Sequence, residues 1–101
     1  MAGTGVTMGS YYLMQAEVDL ESAGKLRSEL VDLVNASTDD VIVDCAHLEF
    51  IDSIGVAVLG QIRRLLAVHR RKLVILNVGP RARRPFELLG HGDYFSVADP
   101  G

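Results

Sequence analysis

The chain has 101 residues, enough for one compact domain with a single core. Because 49% of the residues are hydrophobic, the composition excludes a disordered chain, yet the apolar runs are far shorter than the roughly 20 residues that span a bilayer. The net charge of −3 argues against a basic nucleic-acid-binding protein, and the single cysteine, Cys45, excludes an internal disulfide. The first residues carry no signal-peptide pattern, so we expect one cytoplasmic domain over residues 1–101, without membrane insertion.

Strands and helices are predicted to alternate from the start of the chain. The apolar, β-prone residues 6–18 indicate one or two strands, with Gly9 as a break between them. Asp19 or Ser22 then caps a helix, whose apolar residues follow at helical spacing as far as Val34.

The middle of the chain predicts a strand and a second helix. Residues 41–43 form a continuous β-branched run, which indicates a strand that is covered on both faces or lies at the centre of a sheet. Asp52 and Ser53 begin a helix whose apolar residues, Leu65 among them, repeat at helical spacing. We expect this helix to end at about Val68.

The last third of the chain continues the alternation. Residues 73–76 predict a buried strand, and residues 79–90 predict a third helix that Pro85 should kink or delay. Residues 94–97 predict a last short strand. The order β(β)–α–β–α–β–α–β is typical of an α/β fold with a mostly parallel sheet and crossover helices.

The charges are segregated along the chain. Ten of the thirteen acidic residues lie at or before Asp52, and eight of the ten Lys and Arg residues lie between Arg63 and Arg84. A basic segment of this kind can contact nucleic acid or anionic lipid, or it can be an ordinary solvated surface. No aromatic side chains that could stack on bases are interleaved with the arginines, so we favour the solvated surface and expect no nucleic-acid partner.

The segment around Asp52 and Ser53 is the strongest candidate for function. Ser53 lies at a helix start, where backbone N–H groups lack intrahelical partners and could hold a phosphoryl group. Gly55 would let a partner or a nucleotide approach the backbone closely. Alternatively, Asp52 or Ser53 only caps the helix, which contributes about 1 kcal/mol, and spacing alone favours this simpler interpretation.

Other reactive side chains give weaker patterns. Cys45 and His47 could share a strand face as a thiol–imidazole pair, but no third group orients them, so packing is favoured for Cys45. The histidines, His47, His69 and His91, are too scattered to indicate a zinc site. We expect no catalytic residue, no metal and no cofactor.

Several segments, taken in order over about residues 10 to 97, resemble the STAS family, which is named for sulfate transporters and anti-sigma factor antagonists. They are Ala16-Glu17-Val18-Asp19, Val41-Ile42-Val43-Asp44, Asp52-Ser53-Ile54-Gly55, the strand and turn over 73–80, and Phe86-Glu87-Leu88-Leu89-Gly90. The resemblance implies a STAS-like fold, in which a central, mostly parallel or mixed sheet of about four to five strands carries about three helices mainly on one side. Ile54 stands where the family has a second hydroxyl residue, and the family's C-terminal helix is missing or lies beyond Gly101.

The resemblance also implies a function, that of a bacterial anti-sigma factor antagonist, which is a binding protein and not an enzyme. Unphosphorylated, it would bind an anti-sigma factor serine kinase and free the sigma factor; phosphorylated, it would let go, and a phosphatase would be a further partner. Ser53 would be the phosphoacceptor, with Asp19 and Asp52 lining the phosphorylation site. The partner-binding residues would be Ser53, Ile54, Gly55 and Val56.

A second class of STAS domain fits the same segment. Such domains serve as small subunits of bacterial phospholipid-transporting ABC complexes, where the motif lies in the interface with the ATPase. Asp52, Ser53, Ile54 and Gly55 match that pattern about as well. Neighbouring genes for an anti-sigma kinase would favour the first function, and genes for a permease and an ATPase would favour the second.

Overall fold

The structure is a computed structural model that describes residues 10–88, and within them it contains five strands and three helices. The strands are β1 (Tyr11–Leu13), β2 (Glu17–Val18), β3 (Val41–Asp44), β4 (Phe50–Ile51) and β5 (Leu73–Leu76). The helices are α1 (Leu20–Ala36), α2 (Ser53–Ala67) and α3 (Pro80–Leu88). This alternation confirms the predicted α/β fold. The strand predicted over residues 94–97 and the predicted end of α3 near residue 90 lie outside the described residues.

The strands form two parallel sheets where one central sheet was expected. β3 lies between β1 and β5 in a three-stranded sheet, and β2 pairs with β4 in a separate two-stranded sheet. The division lies between β1 and β2 on one side and between β3 and β4 on the other. There the carbonyl of Ala16 accepts hydrogen bonds from Glu49 N (2.7 Å) and Phe50 N (3.1 Å). One acceptor serves two donors there, so the regular ladder breaks between β1 and β2 and between β3 and β4.

The larger sheet buries one face and leaves the other partly open. Alternate residues along β3 and β5 are buried, and they are Val41, Val43, Leu73 and Ile75. The residues between them, Ile42, Asp44, Val74 and Leu76, are only partly buried. β3 is therefore the central strand of the sheet, as one of the two alternatives predicted, but it is not fully covered on both faces. One-sided burial fits helices that pack mainly on one side.

Asp44 joins the three strands on the partly open face. Its carboxylate accepts hydrogen bonds from the Tyr11 hydroxyl, from Asn77 Nδ2 (2.8 Å) and from Ala46 N (2.9 Å). Burial by itself would raise the pKa of Asp44, but these hydrogen bonds and the nearby His47 lower it below its ordinary value. The ionised carboxylate therefore links the first residue of β1 to the C-terminal ends of β3 and β5.

α1 and α2 supply most of the helical part of the core. In α1, Leu26, Leu30 and Val34 are buried at helical spacing. α2 is predicted to end at about Val68 and does end at Ala67, with Val68 as its C-terminal cap. No helix among residues 10–88 is long and apolar enough to cross a membrane.

Arg71 connects the end of α2 to the end of α1. Its Nη1 donates to the carbonyl of Val34 (2.9 Å), and its Nε donates to the carbonyl of Asp39 (2.8 Å). A cation at a helix C-terminus stabilises the unpaired carbonyls there. Arg71 follows α2 in the chain, but its guanidinium acts on the C-terminus of α1.

α3 begins at Pro80, so Pro85 does not delay its start. Proline is favourable at the first helical position because its missing N–H has no intrahelical partner there. Pro85 lies inside the helix and cannot donate the usual backbone hydrogen bond. Ala82 and Phe86 on α3 are nonetheless buried, so the helix contributes to the core.

Candidate functional site

Two helices begin side by side at the candidate site. β2 and β4 are paired in parallel, with Val18 opposite Ile51, and Asp52 N donates to the carbonyl of Val18 (3.1 Å). α1 begins directly after Asp19, and α2 begins directly after Asp52. Because both strands end at the same edge of the sheet, the two aspartates and Ser53 follow neighbouring strand ends.

Each aspartate caps the helix that follows it. Asp52 Oδ1 accepts hydrogen bonds from Ile54 N and from Gly55 N, both at 3.0 Å. Asp19 Oδ1 accepts from Ser22 N (3.1 Å), and Ser22 Oγ accepts in return from Asp19 N (3.0 Å), which is a capping box. Each cap stabilises its helix by about 1 kcal/mol.

These caps change the expectation for a phosphoryl group on Ser53. The sequence indicated that free backbone N–H groups at the start of α2 would hold it. In the structure the N–H groups of Ile54 and Gly55 are already bonded to the Asp52 carboxylate. A phosphate on Ser53 would therefore have to displace Asp52 or remain without these donors.

Ser53 is exposed, and large exposed apolar side chains occur on the strands and helices that meet at this edge. Ser53 itself is exposed, and the following Ile54 is 41% exposed. Phe50 on β4 is 51% exposed, and Leu20 in the first turn of α1 is 68% exposed. Neither Phe50 nor Leu20 is predicted as a site residue from the sequence, although alternation along β4 places Phe50 on the outside once Ile51 is assigned to the core.

Gly55 and Val56 face the interior and do not present a surface to a partner. A Cβ placed on Gly55 would lie 2.7 Å from both Ile51 Cγ1 and Val18 Cγ1. Val56 is fully buried. Glycine is therefore needed because α2 packs closely on β2 and β4, and of the four predicted partner-binding residues only Ser53 and Ile54 are exposed in the free chain.

The surroundings of the site are acidic. A cavity of about 470 Å³ beside the start of α1 is lined by residues that include Glu17, Asp19 and Glu21. Glu17 lies opposite Phe50 in the register of β2 and β4, and both are exposed. A phosphate on Ser53 would thus join a surface that already carries several carboxylates.

Cys45 and His47 do not form a reactive pair. Both follow the end of β3, so they do not share a strand face as the sequence suggested. Burial, with a smaller effect from Asp44, raises the pKa of Cys45 to about 12, which keeps the thiol protonated, and His47 is exposed. Within the described part of the chain, no group of three or more His, Cys, Asp or Glu side chains could hold a metal ion.

Comparison with known proteins identifies the family of the chain. The sequence model of the STAS domain matches residues 8–99. BtrV of Bordetella bronchiseptica, which is assigned as an anti-sigma factor antagonist, is 29% identical over 86 residues, which cover 85% of this chain and 74% of that protein. The anti-sigma-B factor antagonist of Staphylococcus epidermidis is 28% identical over 94 residues, which cover 91% of this chain and 87% of that protein.

Solved structures show the same fold. The anti-sigma factor antagonist SpoIIAA in its unphosphorylated form aligns with a TM-score of 0.75 at 24% identity, over 95% of this chain and 86% of that chain. The protein TM1081 aligns with a TM-score of 0.74 at 14% identity, over 98% of this chain and 86% of that one. The family model spans nearly the whole sequence, and the strand and helix order agrees with it, so the chain belongs to the STAS domain family.

Proposed function

We propose that this protein is an anti-sigma factor antagonist, a cytoplasmic binding protein that is controlled by phosphorylation of Ser53 and has no catalytic activity of its own. The observation that carries the proposal is the exposed Ser53 hydroxyl on the first turn of α2, beside exposed apolar side chains. The aligned relatives from Bordetella and Staphylococcus, which bear the same function in their names, support it.

In the unphosphorylated state, Ser53 carries a neutral hydroxyl, and Ile54, Phe50 and Leu20 expose apolar side chains on the elements that meet at this edge. Such a surface can be covered by an anti-sigma factor, since exposed apolar side chains gain free energy when a partner excludes water from them. Sequestering the anti-sigma factor would leave the sigma factor free.

Phosphorylation would reverse this binding. The anti-sigma factor serine kinase would transfer the terminal phosphoryl group of ATP to Ser53 Oγ; an Oγ–P bond forms, the bond to ADP breaks, and the hydroxyl proton passes to a base. The product carries about −1.5 to −2 charges at neutral pH. Asp52 already occupies two N–H donors of α2, and Asp19 lies at the adjacent helix start. Burying an additional, poorly paired charge costs several kcal/mol, enough to weaken binding about a hundredfold.

We propose that a separate phosphatase, the further partner that the family resemblance implies, removes the phosphate from Ser53.

The proposal is tested by titrating the purified chain with each serine-kinase-type anti-sigma factor encoded in the same genome. We expect one of them to bind the wild type and Ser53→Ala, and to bind Ser53→Asp about a hundredfold more weakly. Ser28→Asp is the matched control, because Ser28 is exposed on α1 and the substitution adds the same charge. Equal affinity for the wild type and Ser53→Asp would leave Ser53 as a surface residue of α2 with no switching role.

The alternative function, as an ABC-transporter subunit, makes a different prediction. The chain would bind a transporter ATPase, and no anti-sigma factor kinase would phosphorylate it. We prefer the antagonist function because the aligned relatives from Bordetella and Staphylococcus are named as anti-sigma factor antagonists. Copurification with a permease and its ATPase would reverse that preference.

A further inference from the structure

The outer face of α2 carries an apolar stripe that the core does not use. Residues at intervals of three and four positions lie on one side of a helix. The exposed residues that follow this spacing, which we name the α2 stripe, are Ile54, Ala57, Gln61, Leu65 and Val68, the last of these being the C-terminal cap. The buried residues Val56 and Leu59 of the same helix face the core, and buried Ile62 lies beside the stripe.

The exposure of the α2 stripe differs from the expectation for Leu65. Sequence analysis assigned Leu65 to the apolar side of the helix, but it is 44% exposed, and Val68 is 77% exposed. Gln61 separates the apolar residues at the start of the stripe from Leu65 and Val68 at its end. The outer face of a surface helix is normally polar, and clustered exposed apolar side chains mark an interaction surface.

Two arginines border the far half of the α2 stripe. Arg27 and Arg64, together with Gln61, Leu65 and Val68, line a groove of about 330 Å³ between α1 and α2. Arg27 Nε donates to Gln61 Oε1 (3.1 Å), and neither arginine forms an ion pair with any residue in the range 10–88. Guanidinium groups beside an apolar surface are complementary to carboxylates on a partner.

The α2 stripe is continuous with the Ser53 surface, because Ile54 belongs to both. At about 1.5 Å per residue, Val68 lies about 21 Å along the helix axis from Ile54. A stable protein complex covers about 800 Å² on each partner, more than the few side chains around Ser53 provide. A partner that covers Ser53 can reach this area by extending along α2, where Leu65 and Val68 are exposed beside the two arginines.

Building on the proposed function, we propose that the protein that covers Ser53 also docks along the α2 stripe, with apolar side chains against Leu65 and Val68 and carboxylates against Arg27 and Arg64. The binding surface thus has two parts. The end at Ser53 responds to phosphorylation, and the end at Val68 contributes affinity in either state.

Photo-crosslinking in cells of the source bacterium tests this footprint. A photoreactive amino acid replaces Ile54, Leu65 or, as a control, Lys25, which is exposed on α1 and does not line the groove. Adducts are identified by mass spectrometry. The same partner protein at positions 54 and 65, and its absence at position 25, supports the proposal.

Every other pattern overturns it: an adduct at position 54 alone, different proteins at the two positions, a second copy or a terminal segment of this chain at position 65, or no adduct at either. The identity of the shared protein tests the proposed function separately. If it is not an anti-sigma factor, the footprint stands while the proposed function fails.

Affinity measurements with the identified protein complete the test. We expect Leu65→Asp to raise Kd at least about tenfold. Arg64→Glu should raise it severalfold, more strongly at low ionic strength, because it replaces attraction by repulsion. Lys25→Glu, which makes the same charge change away from the groove, should bind like the wild type. If Leu65→Asp keeps wild-type affinity while Ser53→Asp loses it, the footprint is wrong although the switch is correct.

Discussion

Replacing Gly55 with alanine should destabilise the protein, because α2 lies too close to the strands beneath it. The added Cβ would lie 2.7 Å from Ile51 Cγ1, 2.7 Å from Val18 Cγ1 and 3.1 Å from Ile51 Cδ1. Carbon atoms in good contact are about 3.5 to 4.0 Å apart, so the helix or the strands must shift by roughly 1 Å. Both neighbours are buried, branched side chains on strands paired with each other, so neither can move aside easily.

The magnitude follows from two opposing effects. Overpacking of this kind costs about 1 to 3 kcal/mol, and two contacts well below normal separation favour the upper half of that range. Alanine in place of glycine inside a helix returns about 1 kcal/mol. We therefore expect a net loss of about 1 to 2 kcal/mol, and each kcal/mol lowers Tm by about 4 to 8 °C in a domain of this size.

Gly24→Ala is the matched control for this substitution. Gly24 is also inside a helix, but nothing lies within 4 Å of the position its Cβ would take. That variant should be more stable than the wild type by about 0.5 to 1 kcal/mol. Urea unfolding followed by circular dichroism measures both changes. A Gly55→Ala protein as stable as the Gly24→Ala protein would refute the close-packing argument.

Two further changes in stability follow from the hydrogen bonds of the fold. Arg71→Ala removes the two hydrogen bonds that Arg71 donates to the carbonyls of Val34 and Asp39. It should lower the free energy of unfolding, measured by urea titration, by about 1 to 3 kcal/mol. Arg71→Lys should restore only part of this stability, and full restoration would contradict the bonding geometry. The pKa of Asp44 in the folded state is below its ordinary value of 3.8. The stability that Asp44 contributes is therefore fully present above its ordinary pKa and is lost as the pH falls through the folded-state pKa. The stability of the wild type should therefore decline in acid more steeply than that of Asp44→Asn, and parallel declines would argue against it.

The elements with a clear hydrophobic period were predictable from the sequence. The β-branched run of β3 and the helical spacing of α1 and α2 agree with the observed elements, and the end of α2 agrees to within one residue. β2 and β4 have only two residues each, too short for any period, and the double acceptor at Ala16 depends on a contact between distant parts of the chain. For that reason, a local sequence pattern cannot predict the division into two sheets.

At the candidate site, residue types were easier to predict than their directions. The motif drew attention to Ser53 and to the capping role of Asp52. Gly55 and Val56 were assigned to a partner because a motif shows which residues occur together, but not which of them face inward. Leu65 was misplaced for a related reason: its spacing suits the core, yet the residues on the opposite face of α2 already fill it.

The side-by-side start of α1 and α2 also sets the charge balance of the site. Two helix N-termini together carry about one positive charge, half from each helix. Asp19 and Asp52 place two negative charges on them, which leaves a surplus of about one, and Glu17 and Glu21 add further negative charge before Ser53 is modified. A phosphate would add about 1.5 to 2 negative charges without any new cation from the helices. Added salt or magnesium ions should therefore raise the stability of the phosphorylated form more than that of the unmodified form, because screening acts most strongly where like charges are crowded.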